Sequence, residues 1–171
     1  MDILNIEIKA RCEDPARIRN ILQRHDADFK GVDHQVDTYF DVPDGRLKLR
    51  NGTIEQNLIF YRRPNTKGPK ASEIHLVPVE HPEDLLSLLQ SAIGVDVVVD
   101  KEREIYFIDN VKFHIDKVQR LGTFVEIEAI DRDGSRDRDQ LRAQCDNYLE
   151  LLDLDESKLV ALSYSDLITG T

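Results

Sequence analysis

The chain of 171 residues has no tryptophan, one methionine and two cysteines. Cys12 and Cys145 lie far apart without metal-ligand spacing, which excludes a disulfide framework and a thiolate zinc site. They read as unpaired thiols of a reducing cytoplasm. No apolar run approaches the roughly 18 residues of a membrane span. The opening MDILNIEIKAR turns at once into alternating apolar and charged residues, unlike a secretory signal. Positive charge is also short, 23 basic against 33 acidic residues for a net charge of −10. Such a field repels polyanions and argues against nucleic acid as a partner. Any bound anion must therefore be held by a local concentration of Lys and Arg. Three further signatures are missing. The histidines His25, His34, His75, His81 and His114 form no metal spacing, although His114 shares a face with Lys112 and Asp116. Ser72 has no nucleophile elbow, and the acidic run from Asp131 to Asp139 lacks the terminal glutamate and the glycine arrangement of an EF-hand.

What is present is alternation. Ile6, Ile8 and Ala10 oppose Glu7, Lys9 and Arg11, a period of two that predicts a strand. Asp14-Pro15 starts a helix running to about His25, with Ile18, Ile21 and Leu22 as its buried stripe. Strands follow at 29–41, 46–50 and 54–63, with Asn51-Gly52 as a hairpin signal, and then at 72–79. Pro82-Glu83-Asp84 opens a second helix ending near Gly94. Strands at 95–108, 111–118 and 123–130 form a meander, and helices at 138–152 and about 158–168 complete the chain. There is no linker or repeat, so residues 1–171 read as one domain. Strands joined in hairpins with few helices between them predict an antiparallel α+β domain or barrel.

The charges are placed unevenly. Lys9 and Arg11, then Arg46, Lys48 and Arg50, then Arg63, then Lys101 and Arg103 fall on polar strand faces. Glu7, Asp116, Glu126 and Glu128 share those faces. Taken singly, each strand is explained by the solvated face of a one-sided sheet. Like charges at i and i+2 recur on several strands, however, and such alignment is destabilising by itself. If the sheet closes, those faces line a lumen and helices cover the apolar outside. Clustered cations suit a ligand with several phosphates, and paired carboxylates suit Mg²⁺ or Mn²⁺. Together they point to a metal-bridged polyphosphate. Tyr39, Tyr61 and Tyr106 read as strand packing, with Tyr61 on the face of Arg63.

At these residues the chain resembles the CYTH superfamily of triphosphate tunnel metalloenzymes, which includes class IV adenylyl cyclases and thiamine triphosphatases. The resemblance rests on Asn5-Ile6-Glu7-Ile8-Lys9, Asp37-Thr38-Tyr39-Phe40, Gly45 to Arg50, Lys101-Glu102-Arg103, His114-Ile115-Asp116 and Phe124 to Glu128. It implies a closed eight-stranded antiparallel β-barrel, the triphosphate tunnel, with helices packed outside. It implies that Glu126 and Glu128 hold Mg²⁺ or Mn²⁺ with Glu7 as a third carboxylate. By the same resemblance Lys9, Lys48, Arg50, Arg63, Lys101 and Arg103 grip the phosphates, and Asp116 lies near the reacting end, with Lys48 and Arg50 as catalytic cations. Arg11, Arg46 and Lys70 are weaker candidates. One departure stands out: Asn5 occupies the position of the first Glu in the family's Glu-x-Glu-x-Lys signature. The expected function is a metal-dependent enzyme on a nucleoside or organic triphosphate, class IV adenylate cyclase-like. The alternatives are a triphosphatase and a non-catalytic polyphosphate or nucleotide sensor. The expected partner is a small-molecule triphosphate, with no nucleic acid or membrane, and relatives of this kind often pair as homodimers.

Overall fold

The computed structural model describes residues 2–170. The elements run β1 (Asp2–Arg11), α1 (Pro15–Arg24), β2 (Asp28–Phe40), β3 (Arg46–Gly52), β4 (Gln56–Arg62), β5 (Lys70–Pro78), α2 (Pro82–Ile93), β6 (Val95–Ile108), β7 (Val111–Val118), β8 (Gly122–Asp131), α3 (Arg138–Leu151), a 3₁₀ turn (Glu156–Lys158) and α4 (Tyr164–Thr169). The eight strands close into an antiparallel barrel in the order β1-β5-β4-β3-β2-β6-β7-β8. Closure leaves no unpaired edge.

Alternation decides which face goes where. The apolar positions Ile6 and Ile8 of β1, Phe113 and Ile115 of β7, and Val125 and Ile127 of β8 point outward. There they pack beneath Ile18 and Leu22 of α1, Leu141 and Cys145 of α3, and Leu152 at the C-cap of α3. Each such side chain contributes about 1.5–3 kcal/mol on burial, so the main core lies outside the barrel. The charged positions are left to face inward. Capping fixes where the helices begin. Asp14 accepts from the Arg17 amide at 3.1 Å with Pro15 in the first turn, and Asp137 and Gln140 form a reciprocal capping box.

Two local expectations are corrected. The strand predicted from Ile54 begins at Gln56, because buried Asp33 captures the amides of Ile54 and Glu55 at 2.8 and 3.0 Å and turns 53–55 into the hairpin loop. Gly52 is required there, since a Cβ would lie 2.5 Å from the Glu55 carbonyl oxygen and 2.7 Å from Asp33 Oδ1. The helix predicted over about 158–168 is broken. Ala10 bridges to Leu159, and the Val160 amide donates to the Lys9 carbonyl at 2.9 Å, which holds 159–163 extended against the barrel. The carbonyls that a helix would have used instead accept from lysines of the barrel interior, Ala161 from Lys70 at 2.6 Å and Leu162 from Lys9 at 3.3 Å. Among the described residues, no helix is long and apolar enough to cross a membrane.

Candidate active site

Strand register builds the site in rungs. Across β1 and β8, Glu7 faces Glu128 and Lys9 faces Glu126. Across β7 and β8, Lys112 faces Glu128 and His114 faces Glu126. Arg103 of β6 pairs with Asp116 of β7, and Asp37 of β2 with Arg50 of β3. The barrel interior is a cavity of about 140 Å³ whose walls include Glu7, Lys9, Lys48, Arg50, Arg63, Lys101, Arg103, Glu126 and Glu128. The resemblance assigned roles to these nine, and the fold gathers them in one lumen.

Lys9, Lys48, Arg50, Arg63, Lys101, Arg103 and Lys112 are each met by a carboxylate. Asp37 is the hub: it accepts from Lys48 at 3.0 Å, from Lys101 at 2.8 Å and from Arg50 through two bonds of 2.9 Å. Arg103 grips Asp116 bidentately at 2.7 and 2.6 Å and reaches Glu126 at 3.2 Å. Planar fork-on-carboxylate contacts of this kind are among the strongest polar contacts in proteins. Glu126 also meets Lys9 at 3.5 Å and His114 Nδ1 at 3.0 Å. Arg63 pairs with Glu7, and Glu55 accepts from Lys112 at 2.6 Å and Arg50 at 3.3 Å.

Burial and pairing set the protonation states. Burial would raise the Asp37 carboxyl, but Arg50, Lys101 and Lys48 outweigh it and hold the group well below the usual carboxylate range. Glu126 is held low in the same way by Arg103 and Lys9 against the effect of its own burial. Burial pushes Lys101 down to about 7, with Asp37 opposing and Arg50 and Arg103 reinforcing the shift. Lys70 is likewise pushed down to about 7 by burial and nearby Arg63. Burial lowers His114 and favours the neutral ring, whose Nε2 is buried without a partner.

Asp116 is wholly buried behind Arg103 and also accepts from the Tyr164 hydroxyl at 2.7 Å, so it touches the lumen through its partners. The weaker candidates lie where the C-terminal segment meets the barrel or beyond it. Lys70 is bound to Ala161, Arg46 pairs with Asp166, and Arg11 reaches the Leu121 carbonyl at 3.2 Å at the exposed surface. Three residues to which sequence reasoning gave no role take part, Asp37 among them although it opens one of the resemblance motifs. Asp37 shares an inward face with Asp33 and Gln35, a period-two signal present in the sequence. Glu55 sits in a hairpin loop and Tyr164 follows a non-periodic segment, so neither carried one.

The donor set fits a hard divalent cation. Asn5 is fully buried, its amide nitrogen donates to Glu128, and its Oδ1 has no hydrogen-bond partner. That oxygen, the facing carboxylates Glu7 and Glu128, and Glu126 two residues before Glu128 on β8 are oxygen donors, the ligand type that Mg²⁺ or Mn²⁺ takes. Among the described residues, the carboxylate and imidazole group whose ligand atoms lie within 4.8 Å of one another is His114, Asp116 and Glu126. There the Arg103 guanidinium already occupies both Asp116 oxygens.

Fold and site together define a class of protein, the closed antiparallel barrel whose ionic groups face inward and whose main core is outside. The CYTH domain pattern matches residues 4–161. The chain belongs to the CYTH family, and its barrel has the triphosphate tunnel fold. A Methanocaldococcus jannaschii protein provisionally named an adenylate cyclase is 25% identical over 180 residues, 96% of this chain and 98% of its own length. A Pyrococcus horikoshii OT3 structure is similar at a TM-score of 0.82 and 25% identity, covering 95% of this chain and 98% of that one. A provisional adenylyl cyclase of Hippeastrum that shows a dominant triphosphatase activity matches at a TM-score of 0.62 and 15% identity, over 98% of this chain and 96% of its own.

Proposed function

We propose that this chain is a metal-dependent enzyme that binds a nucleoside triphosphate inside the barrel, with adenylyl cyclase-like chemistry. The observation that carries the reading is the convergence of Lys9, Lys48, Arg50, Arg63, Lys101 and Arg103 on one lumen faced by Glu7, Glu126 and Glu128. The adenylate cyclase name of the Methanocaldococcus relative supports the choice of chemistry.

On this reading the internal carboxylates act as stand-ins for phosphate. Asp37 keeps Lys48, Arg50 and Lys101 aimed at a common point, and a triphosphate offers its oxygens to the same donors. Lys48 and Arg50 stabilise charge on the transferring group, a preorganised arrangement that needs little reorganisation during reaction. Asp116 holds the Arg103 fork in place and so acts near the reacting end. Lys9 and Arg63 neutralise the remaining phosphate charge. Glu126, Glu128, Glu7 and the Asn5 carbonyl would hold Mg²⁺ or Mn²⁺, which supplies Lewis-acid charge neutralisation to phosphate oxygens when bound. Cyclisation joins the substrate's 3′-oxygen to the α-phosphorus and releases pyrophosphate and the hydroxyl proton.

The activity described for the Hippeastrum protein makes hydrolysis at the terminal phosphorus the second reading. Incubation with ATP and Mg²⁺ or Mn²⁺ separates the two. Cyclic AMP with pyrophosphate is expected, and ADP with phosphate selects hydrolysis. Neither product, with binding intact, would leave a nucleotide sensor and overturn both.

A further inference from the structure

The lumen is not charged all round. Strands β4 and β5 present Ile59, Ile74 and Leu76 to the cavity, and Ile3 and Ile130 add to the same wall from β1 and β8. Ile59 belongs to a second, smaller core with Tyr39, Tyr61 and Tyr164, and the half-buried Ile74 and Leu76 pack against its edge, whereas the buried Ile3 and Ile130 belong to neither core. On the outer face of β5 the pattern is inverted, with Glu73 and His75 exposed. An apolar wall inside an otherwise ionic cavity leaves hydrocarbon against water unless a ligand covers it.

Its place along the barrel gives a direction. On β1 and β5, Glu7 pairs with Lys70, Asn5 with Ser72, and Ile3 with Ile74. Lys70 contacts the C-terminal segment at Ala161, and Ile74 lies four residues further along its strand, about 13 Å away. The apolar side chains thus lie toward the end of the barrel opposite the C-terminal segment. Asn57 and the exposed Arg132 line the cavity beside them. An apolar wall with a few polar groups is the composition of a site for an organic ring. A guanidinium such as that of Arg132 stacks on aromatic faces.

We propose that Ile3, Ile74, Leu76 and Ile130 form the seat of a nucleobase, with Asn57 and Arg132 at its edge. The phosphate chain then runs inward from this end toward Arg103 and Lys9. The inference rests on the triphosphate reading above and adds the orientation of the substrate and the residues that select an organic over an inorganic triphosphate.

The test is calorimetric titration of the full chain, with Mg²⁺ present, by inorganic triphosphate, ATP and UTP. The parent is compared with Leu76→Thr and Ile130→Thr, which alter different strands and place a strand-compatible β-branched residue at each position. Inorganic triphosphate serves as the internal reference and reports that each variant's lumen is folded. The expected result is that affinity for ATP or UTP relative to inorganic triphosphate falls on the order of tenfold in each variant. A fall for ATP alone marks a purine seat, and a fall for both marks a seat for either base. An unchanged ratio in both variants, with inorganic triphosphate still bound, overturns the seat and leaves the triphosphate reading standing. Failure of the parent to bind any of the three overturns that reading, and the seat with it.

Discussion

Lys101 and Asp37, from adjacent strands of the barrel, meet at 2.8 Å with both side chains almost completely removed from solvent. The same carboxylate also holds Lys48 and Arg50, so one buried anion organises three cations from two strands. Burial of charge is costly unless each group is paired and hydrogen-bonded. Asp37 meets that requirement for its partners and keeps them in one place.

Replacing Asp37 with Ala therefore leaves buried Arg50 and Lys101, and half-buried Lys48, without their shared carboxylate. Removal of one member of a buried ion-pair network costs about 3–5 kcal/mol, which urea unfolding measures directly. Added inorganic triphosphate should stabilise Asp37→Ala by more than it stabilises the parent, because a bound anion replaces the missing carboxylate. Equal stabilisation of both proteins would show that the ligand does not meet these cations.

Affinity for a triphosphate should depend on pH above neutrality. Burial holds Lys101 at about 7 in the free protein, and phosphate oxygens beside it favour the protonated form. Below about pH 7 the lysine is already charged and binding needs no proton. Above it, binding takes up a proton, so affinity falls by up to about tenfold per pH unit for this group. Titrations at pH 7.0 and 8.5 in buffers of different ionisation enthalpy measure both the loss and the uptake. Lys101→Arg, which keeps its charge throughout this range, should flatten the profile.

Asn5 donates to Glu128 where a carboxylate would repel it. Asn5→Glu adds a negative charge to the oxygen cluster, so it should tighten Mn²⁺ binding and lower the stability of the metal-free protein. Both follow from the spacing of like charges on neighbouring strands. Mn²⁺ titration and thermal unfolding in chelator report the two effects separately. Weaker Mn²⁺ binding by Asn5→Glu would place the metal elsewhere in the lumen.

Much of this arrangement is legible in the sequence because a strand has a strict period of two. Once Ile6, Ile8 and Ala10 point one way, Glu7 and Lys9 must point the other, and the same logic places Lys48, Arg50, Lys101, Arg103, Glu126 and Glu128. Alternation alone does not say which face is inside. The inverted arrangement, charges within and main core without, was raised by like charges recurring at i and i+2, was implied by the resemblance, and is what the barrel shows. Positions outside the periodic strands were not legible. Glu55 enters the lumen through a loop shaped by Asp33, and Tyr164 enters through a segment whose backbone is held extended by Lys9, Ala10 and Lys70. Those long-range contacts replace the local helical signal of residues 158–168, which is why that helix was expected and is broken. The pairing of Asp37 with three cations also depends on closure, since Lys101 reaches it from a strand far away in the chain.

The central claim is that this lumen binds a triphosphate with a divalent metal. Titration calorimetry of the parent and the Glu126→Ala/Glu128→Ala double variant with inorganic triphosphate and ATP, each with Mg²⁺ or Mn²⁺ and again in chelator, tests it most directly. The account predicts metal-dependent binding in the parent and its loss or severe weakening in the double variant. Equal, negligible binding by both proteins would contradict it.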